Sequence, residues 1–290
     1  MQSKNKGKPP VLLAVLAHPD DESFGIGGTL AHYSRKGVQV ELICATKGEA
    51  GEMDPVYLHG EKTSSDVRVQ ELRCAAGILG ISTIHFLEYR DSGMTGSPDN
   101  LHPQALCNQP VDHVAYQVAE IIRKIKPSII ITFDPIGGYR HPDHIAIHHA
   151  AVKAFELSAD PAFQISDLPV HRTQKLIYST FPKTMMRWTI RMLKLFGKDP
   201  TRFGKNQDID LTSIASESFP IHYRINYSRV ARERDAAAIC HASQGGSSLS
   251  GGLIGFFRRV FTPYETFMQA APDFPYQQPQ NDLFAGLNQK

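Results

Sequence analysis

Residues 11–24 read VLLAVLAHPDDESF, an unbroken apolar run that stops at a histidine, a proline and three consecutive acids. A short continuous apolar run of this kind predicts a strand buried on both faces, as in a parallel sheet. Pro19 has no N–H to give to a sheet ladder, so the strand ends there. Asp20, Asp21 and Glu22 then stand together where a core strand stops, and their mutual repulsion calls for a compensating charge. A cation gathered with His18 would supply it.

Outward from this strand, apolar periodicity alternates between the strand and helix patterns. It predicts strands at 11–17, 38–46, 83–87, 128–133 and 175–179, and helices at 25–35, 64–79, 111–125 and 142–157. Ser64 and Ser65 are candidate N-caps of the second helix, and Gly80 is its stop. Strict alternation predicts an α/β fold with a mostly parallel sheet and helices on both faces. Ligands bind such sheets outside the carboxyl ends of the strands. AHPDDE (17–22), TKGEAGE (46–52), EYRDSG (88–93) and DPIGGYRHPDH (134–144) each follow a predicted strand, which gathers four polar clusters on one rim.

The second half is less regular, with a basic amphipathic helix at 185–196, another helix at 228–241 and a mobile Gly/Ser loop at 243–252. No repeat or linker divides the chain. One domain over 1–290 is expected, with 1–157 as the core that carries the site and 158–290 supplying a substrate wall and C-terminal elements.

Composition narrows the class. An apolar fraction of 41% with 21% charged residues is that of a globular protein, and no apolar run reaches the roughly 18 residues of a bilayer span. The opening MQSKNKGKPP leads into no apolar segment with a small-residue cleavage site, so no secretory signal is expected. Cys44, Cys74, Cys107 and Cys240 form no CxxC pair and read as free thiols of a cytoplasmic protein. Lys and Arg number 31 against 29 acids, a net charge of +2 that gives no field for nucleic acid. The basic segment 171–205, with Arg187, Arg191 and Lys194 on one helical face, reads as a sheet-covering helix or an oligomer contact, a peripheral membrane contact being the sharper alternative.

Histidine nitrogen and carboxylate oxygen suit zinc, whose catalytic sites usually take three protein ligands and a water. AHPDDE offers two. DPIGGYRHPDH offers the third, because Pro142 at the first turn of a helix sends His141 and His144 in different directions. His144 and His148 also have the spacing of HExxH metalloproteases, but Ile145 occupies the place of the glutamate. GIGG at 25–28 is not GxGxxG, and acids precede it, against a nucleotide site.

The chain resembles the LmbE-like, PIG-L-type zinc-dependent N-acetylglucosaminyl deacetylases. The resemblance rests on AHPDDE, TKGEAGE, RVQELRCAAGILGI (68–81), DSG (91–93), TFDPIGGYRHPDH (132–144) and HASQ (241–244). It implies a Rossmann-like sandwich with the metal site at the C-terminal strand ends. Residue by residue, it makes His18, Asp21 and His144 the ligands of Zn2+, a donor set that also accepts Fe2+. Asp20 is the implied general base towards metal-activated water, and His141, in protonated form and oriented by Asp143, the implied stabiliser of the oxyanion. Tyr139 is the implied mobile cover. Arg68, Asp91, Glu49 and His241 are implied around the substrate, an N-acetylated amino sugar; from the residues alone, the second reading of Arg68 is a helix-surface ion pair with Glu71. Arg140 stands where relatives commonly carry glycine, and either meets an anionic group on the substrate or faces solvent. Alternatives to the deacetylase are an amidase that cleaves a non-acetyl amide of a thiol conjugate and a non-catalytic sugar-binding protein.

Overall fold

In a computed structural model of the chain, the described residues are 8–58, 60, 62–181, 183–203, 207, 209–247 and 263–287. Seven strands form one sheet in the order β3-β2-β1-β4-β5-β7-β6. The elements run β1 (Val11–Leu16), α1 (Asp21–Gly25), α2 (Gly27–Arg35), β2 (Gln39–Thr46), α3 (Ser64–Leu79), β3 (Ile81–Tyr89), α4 (Val111–Ile125), β4 (Ile129–Phe133), α5 (Gly137–Arg140), α6 (Pro142–Ala159), β5 (Lys175–Thr180), α7 (Lys183–Leu195), α8 (Leu211–Ser216), β6 (Tyr223–Asn226), α9 (Ala231–Cys240) and β7 (Tyr264–Ala271). β1 to β5 pair in parallel, as the alternation predicts. β1 lies between β2 and β4, and the chain reverses its direction across the sheet there. That switch point opens a crevice between the loops after β1 and β4. Leu12, Leu13, Val15, Ile43, Ile130 and Ile131 are wholly buried around it, which is why these strands read as continuous apolar runs.

Local chemistry explains the boundaries. α3 spans the predicted 64–79, but its cap is Thr63 and not Ser64 or Ser65: the Thr63 hydroxyl accepts from the Asp66 N–H and the Asp66 carboxylate accepts from the Thr63 N–H. Gly80, at φ 73°, ends it. The helix predicted over 25–35 is α2, which starts at Gly27, and the short helix α1 precedes it, separated by Ile26 at φ −136°. α2 can restart because the half-buried Glu265 carboxylate on β7 accepts the Gly28 and Thr29 N–H groups at 2.9 and 2.7 Å. A partner more than two hundred residues away leaves no local trace in sequence.

β6 and β7 are additions to the predicted sheet, antiparallel to each other and, through β7, to β5. The predicted helix 228–241 is shorter, Ala231–Cys240, after a tight turn at Ser228–Val230. On α7, Arg187, Arg191 and Lys194 are exposed as expected, but Trp188 is too, at 63%. Of the Gly/Ser loop, residues 243–247 are described, with Ala242–Gln244 a 3-10 turn; 248–252 lie outside the described residues. No described helix is long and apolar enough to cross a membrane.

The cysteine expectation is corrected. Cys74 on α3 and Cys240 at the end of α9 form a disulfide with Cα atoms 6.0 Å apart, and only Cys44 and Cys107 are free. The two helices pack side by side, which brings together residues 166 apart in sequence, and the argument for a reducing compartment falls with the bridge. Reduction, or Cys74→Ser with Cys240→Ser, is expected to lower stability by about 2–4 kcal/mol. Denaturant unfolding with and without reductant measures this; equal midpoints would show that the bridge contributes nothing.

Candidate metal centre and active site

Three side chains converge in the crevice at the switch point. His18 leaves β1, Asp21 opens α1 and His144 sits in the first turn of α6. His18 Nδ1 and His144 Nε2 face each other at 3.2 Å; Asp21 Oδ2 is 3.6 Å from the first and Asp21 Oδ1 3.3 Å from the second. Ligands at about 2.0–2.1 Å around a tetrahedral ion stand about 3.3 Å apart, so the two imidazole nitrogens have the spacing of two corners of such a site, with one oxygen of the Asp21 carboxylate near each. The remaining ring nitrogens are already engaged: His18 Nε2 with Asp143 Oδ2 at 3.1 Å and His144 Nδ1 with the Gly137 carbonyl at 3.1 Å. Each acceptor fixes the tautomer that turns the other nitrogen's lone pair inward. Burial alone would lower His18, but Asp91, Asp143 and Asp21 outweigh it and raise its pKa well above the usual value. The same negative surroundings favour a cation between these donors. His141 also lies within ligand range of His18 and His144. Its Nδ1 accepts the Asp143 N–H at 3.2 Å, and the two Asp21 oxygens face His18 Nδ1 and His144 Nε2.

His144 is held in place from behind. Its ring stacks on Phe133 with centroids 3.9 Å apart and planes at 14°. Gly137, at φ +65°, packs so tightly that an added Cβ would lie 2.8 Å from His144 Cβ and 2.9 Å from the Ile145 nitrogen. Gly137→Ala therefore carries at least about 1–2 kcal/mol of backbone strain and displaces the imidazole. The expected result is weaker zinc binding by calorimetry; unchanged affinity would show that His144 does not depend on this contact.

Two expectations about the second HPDH stretch change. Asp143 does not orient the His141 ring with its carboxylate. It serves His18 and accepts from the Ser92 N–H at 2.8 Å and from the Ser92 hydroxyl. Nor does the setting of His141 favour its protonated form. Burial, with His18 and His144 nearby, holds it well below the usual histidine range. With Nδ1 accepting from the backbone, the neutral ring carries its proton on Nε2, a donor available to the crevice.

Asp20 is poised beside the triangle. Its Oδ2 is 3.2 Å from Arg68 Nη2. Burial pushes its carboxyl up to about 6, with Arg68 pulling against it and Asp21 adding to it. Arg68 is itself buried, donating to the Gly48 and Pro19 carbonyls at 3.0 and 2.8 Å. Gly48 makes room for it, since a Cβ there would fall 2.2 Å from Nη1. The Glu71 pairing read from helical spacing is absent, because Glu71 accepts the N–H and hydroxyl of Ser243 instead. Asp91 lies 3.4 Å from His18 Nε2 and 3.8 Å from Arg68 Nη1. Burial would raise its carboxyl, but His18 and the Gly93 N–H outweigh it and lower it. Glu49 accepts the Asp91 N–H at 3.0 Å, which places it behind that residue.

Tyr139 packs edge-on against His144, centroids 4.8 Å apart, within the α5 turn. Its neighbour Arg140 turns to α8, where it donates to the Ser213 carbonyl at 3.3 Å and pairs with Glu217 at 3.6 Å. His241 is overturned as a substrate contact. It is 0% exposed and bonds Glu22 at 2.7 Å, behind the loop that carries Asp20. His148 bonds the Phe133 carbonyl at 2.8 Å and packs on Tyr178, in keeping with rejection of the HExxH reading. Ser92 and Glu22 are the residues to which sequence reasoning gave no role. Ser92 sits inside the DSG motif and Glu22 inside AHPDDE, so motif membership was the available signal.

Fold and site together define a metal-dependent hydrolase with a His/carboxylate centre at the edge of a mostly parallel sheet. Residues 13–155 match the family model described as PIG-L: GlcNAc-PI de-N-acetylase. A protein of Streptomyces griseus subsp. griseus, named 1D-myo-inositol 2-acetamido-2-deoxy-alpha-D-glucopyranoside deacetylase, is 34% identical over 290 residues, covering 95% of this chain and 88% of the relative. One of the same name from Streptomyces avermitilis is 37% identical over 243 residues, 80% of this chain and 82% of the relative. The chain belongs to the PIG-L family of de-N-acetylases. Among solved structures, the N,N'-diacetylchitobiose deacetylase of Pyrococcus horikoshii aligns with TM-score 0.61 and 20% identity over 89% of this chain and 83% of that one. GalB, a 4-carboxy-2-hydroxymuconate hydratase of Pseudomonas putida, aligns with TM-score 0.62 and 17% identity over 93% and 99%. These two share the fold, and the hydratase shows that the fold by itself does not choose the reaction.

Proposed function

We propose that the protein is a zinc hydrolase that removes the N-acetyl group from a GlcNAc-containing small molecule, with His18, Asp21 and His144 as the metal ligands and Asp20 as general base. The observation that carries this is the triangle of donors at 3.2 to 3.6 Å with Asp20 beside it. Zinc bound there supplies Lewis acidity towards the amide carbonyl and lowers the pKa of water. Asp20 takes the proton of the attacking water and returns it to the departing amine. The Nε2–H of His141 supports the negative charge that develops on the carbonyl oxygen. Arg68 holds the Asp20 carboxylate, Asp143 and the Gly137 carbonyl hold the ligand imidazoles, and Tyr139 covers the substrate from α5.

The names of the relatives direct the first choice of aglycone to an inositol. Acetate and free amine released from a panel of N-acetylglucosamine conjugates, with inositol, lipid, sugar and simple alkyl aglycones, test the reading. Equal acetate and amine from one conjugate is the expected result. Amine without acetate, from an amide with a larger acyl group, would give the reaction to the amidase alternative.

A further inference from the structure

Asp20 carries an unusual backbone. Its φ is 123° and ψ −26°, a strained region that L side chains rarely adopt. Glycine would be the unstrained choice, but glycine has no carboxylate. The conformation persists because its surroundings hold it from both ends. The Asp20 carbonyl accepts the Ser23 and Phe24 N–H groups at 3.0 and 2.9 Å, and the Asp20 N–H donates to Glu22 Oε2 at 3.0 Å. Glu22 is 0% exposed, so its other oxygen needs partners inside the protein. Oε1 receives the Ser23 hydroxyl at 2.5 Å and His241 Nε2 at 2.7 Å. His241 is locked in turn by the segment that follows it, since the Ser243 N–H and hydroxyl donate to Glu71 of α3.

We propose that Glu22, backed by His241, is a positioning residue that locks Asp20 in this left-handed conformation and thereby aims its carboxylate at the reacting water. The inference rests on Asp20 acting as general base and extends that reading to two residues that touch neither metal nor substrate. It accounts for two features. A buried acid in AHPDDE gains a purpose other than ligation, and a histidine from the far end of the chain gains one other than substrate contact.

Length and charge at position 22 separate positioning from mere burial of a charge. Glu22→Asp keeps the charge but is one methylene too short to reach both the Asp20 N–H and His241. Glu22→Gln loses the charge but keeps the reach: its carbonyl accepts the Asp20 N–H while its NH2 faces His241. His241 can answer with the opposite tautomer, because its Nδ1 has no partner among the described residues. Glu22→Asp is expected to lower kcat about 10- to 100-fold, the scale of a misplaced catalytic group, with KM within about threefold and one zinc bound per chain. Glu22→Gln is expected to recover at least about tenfold of a hundredfold loss, or most of a smaller one. A Glu22→Asp enzyme with more than a third of the normal kcat would overturn the proposal, as would Glu22→Gln at or below Glu22→Asp, or a loss confined to KM or to zinc. Asp20→Asn run alongside separates the two layers: if it turns over normally, the general-base reading fails, and if it is inactive while Glu22→Asp is normal, only the positioning role fails.

Discussion

Asp20→Asn should yield a folded protein that binds zinc as tightly as the parent and has lost about 10²- to 10⁴-fold in kcat, the usual contribution of a positioned proton acceptor. The substitution keeps the shape and the oxygen that Arg68 contacts at 3.2 Å, so the loss reports the missing basicity. Asp20 lies outside the triangle formed by His18, Asp21 and His144, which is why zinc is expected to stay. Acetate release at saturating substrate, with metal content measured on the same sample, checks both halves. Full turnover would remove Asp20 from the mechanism, and loss of zinc would move it into the ligand set.

The second large effect concerns the ligands. His144→Ala removes one corner of the triangle and leaves His18 and Asp21 with an open edge, so the protein should be purified without bound zinc and without activity. Asp143→Ala should act more mildly, because it takes away the acceptor of the His18 Nε2 proton and not a ligand. Loss of such an outer partner typically weakens metal binding about 10- to 100-fold. The ordering is the test. Competition with a chelator should rank the parent above Asp143→Ala and Asp143→Ala above His144→Ala; equal affinity for parent and His144→Ala would place the metal elsewhere, with His141 the first alternative.

Much of the fold is legible in the chain because its first half consists of buried parallel strands and amphipathic helices, whose patterns are local. VLLAVL and SIIITF announce β1 and β4, and the polar clusters after them mark the rim where His18, Asp21 and His144 meet. β7 was not legible. YETFMQAA carries polar and apolar residues without clean alternation, and it becomes a strand by pairing with β5 and β6 on either side. The Cys74–Cys240 bridge and the Glu265 cap of α2 are invisible for the same reason, since each joins positions that only the finished fold brings together.

Within the site, residue types were easier to read than their partners. His18, Asp20, Asp21, His141 and His144 all lie at the crevice, but what each touches depends on angstroms that spacing does not encode. Asp143 follows His141 by two positions and yet serves His18 across the crevice. His241 belongs to a motif shared with active-site elements and yet is sealed behind Glu22. Arg140 carries a charge beside the second histidine stretch and yet spends it on α8.

The most direct measurement is a zinc titration into chelator-treated protein, followed by acetate release from an N-acetylglucosamine conjugate of inositol. Activity should rise from background in proportion to added zinc and level off at one equivalent per chain, in step with calorimetric binding. Activity that is already full before any metal is added, or that stays at background when the site is saturated and the whole conjugate panel has been tried, would contradict the account.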